Sequence, residues 1–184
     1  MEKLRSKEAY EGNPVGLNDN TAQELGKALD AHLSAFIIMW HQYHKHHWLV
    51  EGPQFRDLHL FFEENYGQVH EDYDAIAERI TLLGMTPTSS PSAVAELSYI
   101  EHEPEGVYRI RESLEHDMEN EKQIAVRLRD TIKKAADLGD FGTKSMLERI
   151  LFRCEDRAHH CEHFLGEDTI VVGLLHDPKD LSHN

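Results

Sequence analysis

The stretch that decides the fold runs from His47 to Gly84 and reads HWLVEGPQFRDLHLFFEENYGQVHEDYDAIAERITLLG. Two pairs of metal-binding side chains in it, His59 with Glu63 and Asp74 with Glu78, are spaced i,i+4. On a helix this spacing brings both members of a pair to one face. The apolar positions between the pairs follow the same period, so we predict that one helix, residues 54–83, carries both.

The distance between the two pairs indicates how many subunits a metal site would need. The pairs lie fifteen residues apart, which is roughly 22 Å on a helix that rises about 1.5 Å per residue. One metal ion cannot bridge that distance. A two-fold copy of the helix, lying antiparallel, would bring the first pair of one subunit to the second pair of the other. The spacing therefore predicts a metal site at a subunit interface.

Apolar residues recur at three-or-four spacing on either side of this helix and predict an all-α fold. We predict a flexible arm over residues 1–17, a four-helix bundle over 18–165 and a tail over 166–184. The predicted helices span residues 19–47, 54–83, 105–137 and 142–165, with Val107 among the core positions of the third. The long connection, residues 86–104, contains a short helix over Ser92–Leu97 and suits a crossover between the second and third helices.

The chain cannot build the usual metal site of a ferritin-like bundle. That site needs a glutamate on two helices and Glu-x-x-His on the other two. The first predicted helix has no glutamate from Leu25 to Trp48, and the second offers no Glu-x-x-His. The available ligands instead cluster around the first connection and along the second helix.

Composition narrows the function classes. The 184 residues carry a net charge of −15, which disfavours binding to anionic nucleic acid and points to a salt-rich cytoplasm or to cation gathering. No apolar run is long enough to cross a bilayer, and no secretory leader is recognisable, so we expect a cytoplasmic protein without a membrane partner.

Cys154 and Cys161 are about 10.5 Å apart on a helix, which is too far for a disulfide. We expect both to be small packed residues, with metal ligation together with the nearby His160 or His163 as the alternative.

Both segments resemble the two signatures of the Dps family, the small ferritin-like proteins named as DNA-binding proteins from starved cells. The acidity suits a member of the haloarchaeal type. The resemblance covers residues 20–165 and rests on these positions: His47-Trp48-x-Val50-x-Gly52-x5-Leu58-His59-x3-Glu63, and Tyr73-Asp74-x-Ile76-Ala77-Glu78-Arg79-x3-Leu83-Gly84-x2-Pro87.

The resemblance implies a hollow homododecamer with an iron-oxidising site at each two-fold interface. His47, His59 and Glu63 of one subunit would then face Asp74 and Glu78 of the other. The family often has aspartate where Glu63 stands, and asparagine where Leu49 stands. The implied reaction oxidises Fe(II), with hydrogen peroxide as oxidant, and stores ferric mineral inside the shell.

Other candidate residues have two interpretations each. Trp48 is an outlet for oxidising equivalents or an interface packing residue. By resemblance, Asp137, Asp140 and Glu148 line a pore near the turn between the third and fourth predicted helices. Alternatively these acids are ordinary helix-end residues, with Asp140 as the N-cap of the fourth helix. The fourth predicted helix carries a histidine cluster, His159, His160 and His163. These histidines either relay or store iron, or are ordinary surface residues.

Two further function classes stay open. The chain could pack the nucleoid by binding DNA through its arm, where Lys3, Arg5 and Lys7 oppose three glutamates. We expect direct DNA binding to be weak, because salt screens so small a cationic patch. A purely structural shell is the third class, and the five interface ligand positions argue against it.

Overall fold

The computed structural model describes residues 2–166 and contains five helices. They are α1 (Asp19–Leu49), α2 (Phe55–Leu82), α3 (Pro91–Leu97), α4 (Ile110–Asp137) and α5 (Phe141–Phe164). The four long helices form the bundle, and the short α3 lies in the crossover and packs against α1. The predicted all-α bundle with a helix in its crossover is confirmed.

The core lies between the apolar stripes of α1, α2, α4 and α5. The stripe predicted for α2 is buried, because its members recur at intervals of three, four or seven residues and so fall on one face. It consists of Leu58, Phe62, Val69, Ile76, Ile80 and Leu83. Since α2 is one continuous helix, its two ligand pairs are held at a fixed separation.

Side-chain caps and glycines fix the ends of the helices. Asn18 caps α1 by accepting a hydrogen bond from the Asn20 amide, and Ser90 caps α3 by accepting one from the Ala93 amide. Gly84 ends α2 with φ +85, and its oxygen accepts a hydrogen bond from the Glu11 amide at 3.1 Å. A Cβ at Gly84 would collide with the carbonyl group of Gly12, so this contact between arm and bundle requires glycine.

Helix α4 corresponds to the third predicted helix, residues 105–137, and begins later than predicted. Residues 105–109 are not helical, and α4 starts at Ile110. Gly106 has φ +139, which lies outside the helical range, so the helix does not extend back from Ile110 to residue 105. Val107 is consequently 68% exposed, and its prediction as a core residue is wrong.

The arm lies against the bundle. Lys7 Nζ donates to Asp30 Oδ2 at 2.7 Å, and Tyr10 donates to Asp19 Oδ1 at 2.8 Å. The division into arm, bundle and tail stays a prediction, and residues 167–184 of the tail lie outside the described part. Among the helices of residues 2–166, none has a stretch long and apolar enough to cross a membrane.

Candidate metal centre

The connection between α1 and α2 brings His47 and His59 face to face. His47 lies in the last turn of α1 and His59 in the second turn of α2, and their rings stack with centroids 3.7 Å apart. Each Nδ1 lies 2.9 Å from the backbone oxygen of the other histidine. The His47 oxygen belongs to a helix end, where carbonyl groups lack an intrahelical partner. The imidazole of His59 supplies the missing hydrogen.

These reciprocal hydrogen bonds fix the tautomer of both rings. A carbonyl oxygen can only accept, so each Nδ1 must carry the proton. In the neutral form of each ring, Nε2 is therefore the nitrogen with the lone pair and can bind a metal ion. Metal-binding histidines are commonly oriented in this way by a carbonyl on the opposite ring nitrogen.

Aromatic side chains hold the two rings from both sides. Phe55 stacks on His59 at 5.0 Å, and Tyr66 packs edge-on against His47 at 5.3 Å. His44 stacks on Tyr66 at 3.9 Å and contacts the Trp48 ring at 5.6 Å. Trp48 is 69% exposed, which leaves most of its indole free for a partner surface or for redox chemistry.

The carboxylates of the site are distributed along α2. Glu63 is exposed one turn after His59, while the exposed Asp74 and Glu78 lie on the same helix beyond it. The separation of roughly 22 Å between the pairs follows from the helical rise. Within residues 2–166 of one chain, no three histidine, cysteine or acidic side chains converge on a common metal position.

Tyr73 and Trp40 border the second pair. Their rings lie 6.1 Å apart, in an edge-to-face arrangement. Partial burial raises the pKa of Tyr73, and the neighbouring Asp74 carboxylate raises it further. A protonated phenol next to Asp74 keeps that corner of the site free of an additional anion.

The interior of the bundle contains an ion-pair network in place of a metal site. Each long helix contributes to its centre: Tyr43 from α1, Asp72 from α2, Glu121 from α4 and Arg157 from α5. Arg157 Nε donates to Glu121 at 2.6 Å, and its Nη1 donates to Asp72 at 3.2 Å. Tyr43 donates to Glu121 at 2.9 Å. A guanidinium therefore occupies the space between the two carboxylates.

Burial sets the protonation of this network. It raises the pKa of Asp72 to about 6, against the opposing effect of Arg157 and Arg153. Burial also raises the pKa of Cys154, whose thiol donates to Glu121 at 2.8 Å, and that of Cys161. Both cysteines are buried and free of disulfide, which agrees with small packed residues.

This network was not predicted from the sequence, although the sequence contains a signal for it. Arg157 continues the buried stripe of α5 that runs through Ile150 and Cys154 to Cys161. Asp72 occupies the same kind of position between Val69 and Ile76 on α2. A charged residue on an apolar stripe is rare unless it is paired, so the two positions together indicate a buried ion pair.

A second buried cluster anchors the end of α1, next to His47. His46 Nδ1 lies 2.7 Å from Asp117 on α4, and its Nε2 lies 2.9 Å from Glu103 in the crossover. Burial lowers the pKa of His46, but the two carboxylates outweigh burial and raise it above its usual value. Lys45 also binds Glu103, at 2.7 Å. This cluster ties α1, the crossover and α4 together beside the metal ligand.

The three acids predicted for a pore lie in different surroundings. Asp140 is 2% exposed and caps α5 by accepting from the Thr143 amide at 2.9 Å, while Arg79 donates to it at 2.6 Å. The cap interpretation therefore describes Asp140. Asp137 is exposed in the last turn of α4, and Glu148 is exposed and paired with Lys144 at 2.6 Å.

Two of the three histidines on α5 come together. The Nε2 atoms of His159 and His163 are 2.7 Å apart, so one ring donates a hydrogen bond to the other. His160 points toward Asp156, with 3.8 Å between Nε2 and Oδ1. All three histidines are exposed at the end of the helix.

Comparisons with known proteins agree with this architecture. The family model for the ferritin-like domain matches residues 26–170. The DNA protection during starvation protein of Halobacterium salinarum is 41% identical over 156 residues, which cover 85% of this chain and 86% of that protein.

Solved structures extend the likeness to three dimensions. The archaeal Dps homologue from Halobacterium salinarum superposes with a TM-score of 0.91 at 37% identity, covering 94% of this chain and 97% of that one. The Dps protein of Vibrio cholerae, described as a member of a broad superfamily of ferritin-like diiron-carboxylate proteins, has a TM-score of 0.80 at 25% identity, with 86% and 99% covered. The chain is thus a ferritin-like protein and a member of the Dps family.

Proposed function

We propose that this protein oxidises Fe(II) at a site shared between two subunits, and that it stores the ferric product inside a dodecameric shell. The observation that carries the proposal is the pair His47 and His59, held with both Nε2 lone pairs free at one end of α2. Exposed carboxylates that could complete the site lie at the other end of the same helix. Only a second subunit can bring the two ends together.

The donor set suits iron as a substrate. Neutral imidazole and carboxylate both bind Fe(II), and carboxylates continue to hold the harder Fe(III) after oxidation. His47, His59 and Glu63 would bind from one subunit, and Asp74 with Glu78 from the other. The Vibrio relative is described as a diiron-carboxylate protein, which supports a site for two irons.

We propose hydrogen peroxide as the oxidant. Two Fe(II) ions give one electron each to one peroxide, whose O–O bond breaks; with two protons it forms two waters, and two Fe(III) remain. Because both electrons arrive from neighbouring ions, no hydroxyl radical is released. This reaction in the cytoplasm would protect DNA from oxidative damage. The Halobacterium relative is named for DNA protection during starvation, which supports a protective role.

Iron loading tests the proposal. Apo protein receives Fe(II) under anaerobic conditions and then hydrogen peroxide; ferric absorbance is followed, and size exclusion shows whether iron elutes with a dodecamer. We expect fast oxidation with iron retained, and its loss in the variant Asp74→Ala/Glu78→Ala. The matched control is Glu115→Ala/Glu119→Ala, an exposed i,i+4 acid pair on α4. Oxidation no faster than in buffer, or equal losses in both variants, would refute the proposal.

DNA binding is the second candidate, and the arm argues against it. Arg5 is paired with Glu11, and Lys7 with Asp30, so two of its three cations already have acidic partners within the chain. A protein that must neutralise phosphates would have to break these pairs. Gel shifts at low and high salt distinguish the two functions, because phosphate binding weakens steeply as salt rises.

A further inference from the structure

An apolar groove opens between the first turns of α2 and the last turn of α5. We define this α2–α5 groove by its lining residues, which are Asp57, Leu60, Phe61, Glu64, His160, His163 and Phe164. Its volume is 480 Å³, which lies within the range of about 300–1,000 Å³ that is usual for ligand clefts. Phe61 and Phe164 form its floor, with ring centroids 5.0 Å apart.

The groove leaves apolar surface uncovered by residues 2–166. Leu60 is 46% exposed and Phe164 is 38% exposed, although both sit beside the buried Phe61. Removing leucine and phenylalanine side chains from water is favourable. A groove with two such side chains therefore favours an apolar occupant.

The chain itself contains a segment of suitable chemistry. Ile170-Val171-Val172-Gly173-Leu174-Leu175 is an apolar run with acids just before it and His176-Asp177 just after it. In an extended strand, alternate side chains of such a run point to the same side, so three branched aliphatic residues could enter the groove together. No other part of residues 167–184 has this composition.

Chain length favours the groove of the same subunit. Ile170 is four positions after Gly166, so their Cα atoms lie at most about 14 Å apart when the chain is extended. The groove begins at Phe164 and His163, just before Gly166. The exposed Phe152, further back on α5, is twelve residues from Phe164, or about 18 Å along the helix. A short tether also gives the segment a high effective concentration at the nearest surface.

We propose that residues 170–175 dock in the α2–α5 groove of their own subunit and cover Leu60 and Phe164. The docked segment would lie over His163, and so over one member of the His159–His163 pair. This proposal does not depend on the iron chemistry, since it concerns only the tail and the bundle end.

Hydrogen exchange on the assembled full-length protein tests the docking. We expect amides of residues 170–175 to exchange roughly tenfold or more slowly than those of residues 179–184, because only docked amides need a local opening. Leu60→Lys should abolish this protection. The matched control is Phe152→Lys, which changes an exposed apolar residue outside the groove. Protection that is absent from the wild type, or that survives Leu60→Lys, overturns the proposal.

Disulfide trapping identifies the subunit that supplies the groove. The double variant Leu60→Cys/Val172→Cys should form a disulfide rapidly within one chain under mild oxidation. The native Cys154 and Cys161 are buried and should not compete for this link. Phe152→Cys/Val172→Cys serves as the control and should stay reduced. A non-reducing gel with a monomer band and a mapped 60–172 link supports the proposal. A dimer band means that a neighbouring copy receives the segment, which overturns it, as does the absence of any link.

Discussion

Arg157 donates two hydrogen bonds to Glu121, from Nε to one carboxylate oxygen at 2.6 Å and from Nη2 to the other at 3.2 Å. Both residues are essentially without exposed surface. A buried charge without its partner is far more costly than an exposed one, because water cannot solvate it. The bundle therefore depends on this pair more than on its surface ion pairs.

We expect Arg157→Leu to lower the free energy of unfolding by about 3–5 kcal/mol, since it leaves Glu121 buried without a cation and Asp72 with Arg153 alone. Arg129→Leu, which removes an exposed pair with Glu155, should cost less than about 1 kcal/mol. Denaturant titrations at one fixed protein concentration measure both, because subunit association also contributes to stability. Equal costs would contradict the importance of the buried pair.

Acid should destabilise the fold through His32. Its ring contacts Tyr99 at 2.7 Å and Thr131 at 2.8 Å, and burial lowers its pKa to about 4, with Arg127 acting in the same direction. The unfolded chain takes up this proton near pH 6.5, so the stabilising contribution is complete above pH 6.5 and is lost as pH falls toward 4. At about 1.36 kcal/mol per pKa unit, the loss is about 3 kcal/mol.

The variant His32→Asn tests this dependence. Between pH 7 and pH 4.5, we expect the wild type to lose about 2–3 kcal/mol more stability than the variant, because only the wild type must keep a buried imidazole neutral. The exposed His70→Asn serves as the control and should follow the wild type. Parallel curves for the wild type and His32→Asn would show that His32 does not control acid stability.

Mixed subunits should reveal whether the iron site is shared. A subunit with His59→Ala keeps its carboxylate half, and a subunit with Asp74→Ala/Glu78→Ala keeps its histidine half. Each mixed dimer then has one intact site and one site that is defective on both sides. With random pairing, half the dimers are mixed, so about a quarter of the wild-type oxidation rate should return. No recovery above the separate variants would mean that each site lies within one subunit.

Substitutions at Asp140 and Asp137 should have different effects, the first on the stability of the fold and the second on the rate of iron entry. Asp140→Ala removes the cap of α5 and the contact with Arg79, and should lower stability by about 2 kcal/mol without slowing iron uptake by the folded shell. Asp137→Ala should change stability by less than about 0.5 kcal/mol, and should slow uptake if the exposed carboxylate lines a pore. Uptake slowed only by Asp140→Ala would reverse these roles.

The helices of the bundle were predictable where the sequence repeats locally. The stripe of α2 from Leu58 to Leu83 is regular, so its burial followed from period alone. Val107 fits the pattern of α4 but lies outside the helix, because the backbone at Gly106 is not helical and α4 begins only at Ile110. Periodicity reports which face is apolar and is a poor guide to where a helix begins.

The candidate site was predictable in composition but not in geometry. Spacing along α2 identified His59 and the carboxylates, since i,i+4 residues share a helix face in any context. The reciprocal hydrogen bonds between His47 and His59 depend on how the connection between α1 and α2 folds back. The four-helix network around Arg157 depends likewise on contacts between residues as many as 85 positions apart, from Asp72 to Arg157, which no local pattern contains.

The continuity of α2 has a consequence for when the protein becomes active. In the proposed arrangement, a newly made subunit carries the two halves of a metal site at opposite ends of one continuous helix, and the two halves cannot come together within that subunit. Iron oxidation would then begin only after two chains have paired, and every pairing would create two sites at once. Iron oxidation would thus be delayed until the shell that stores the ferric product is assembling, and no separate regulator would be needed.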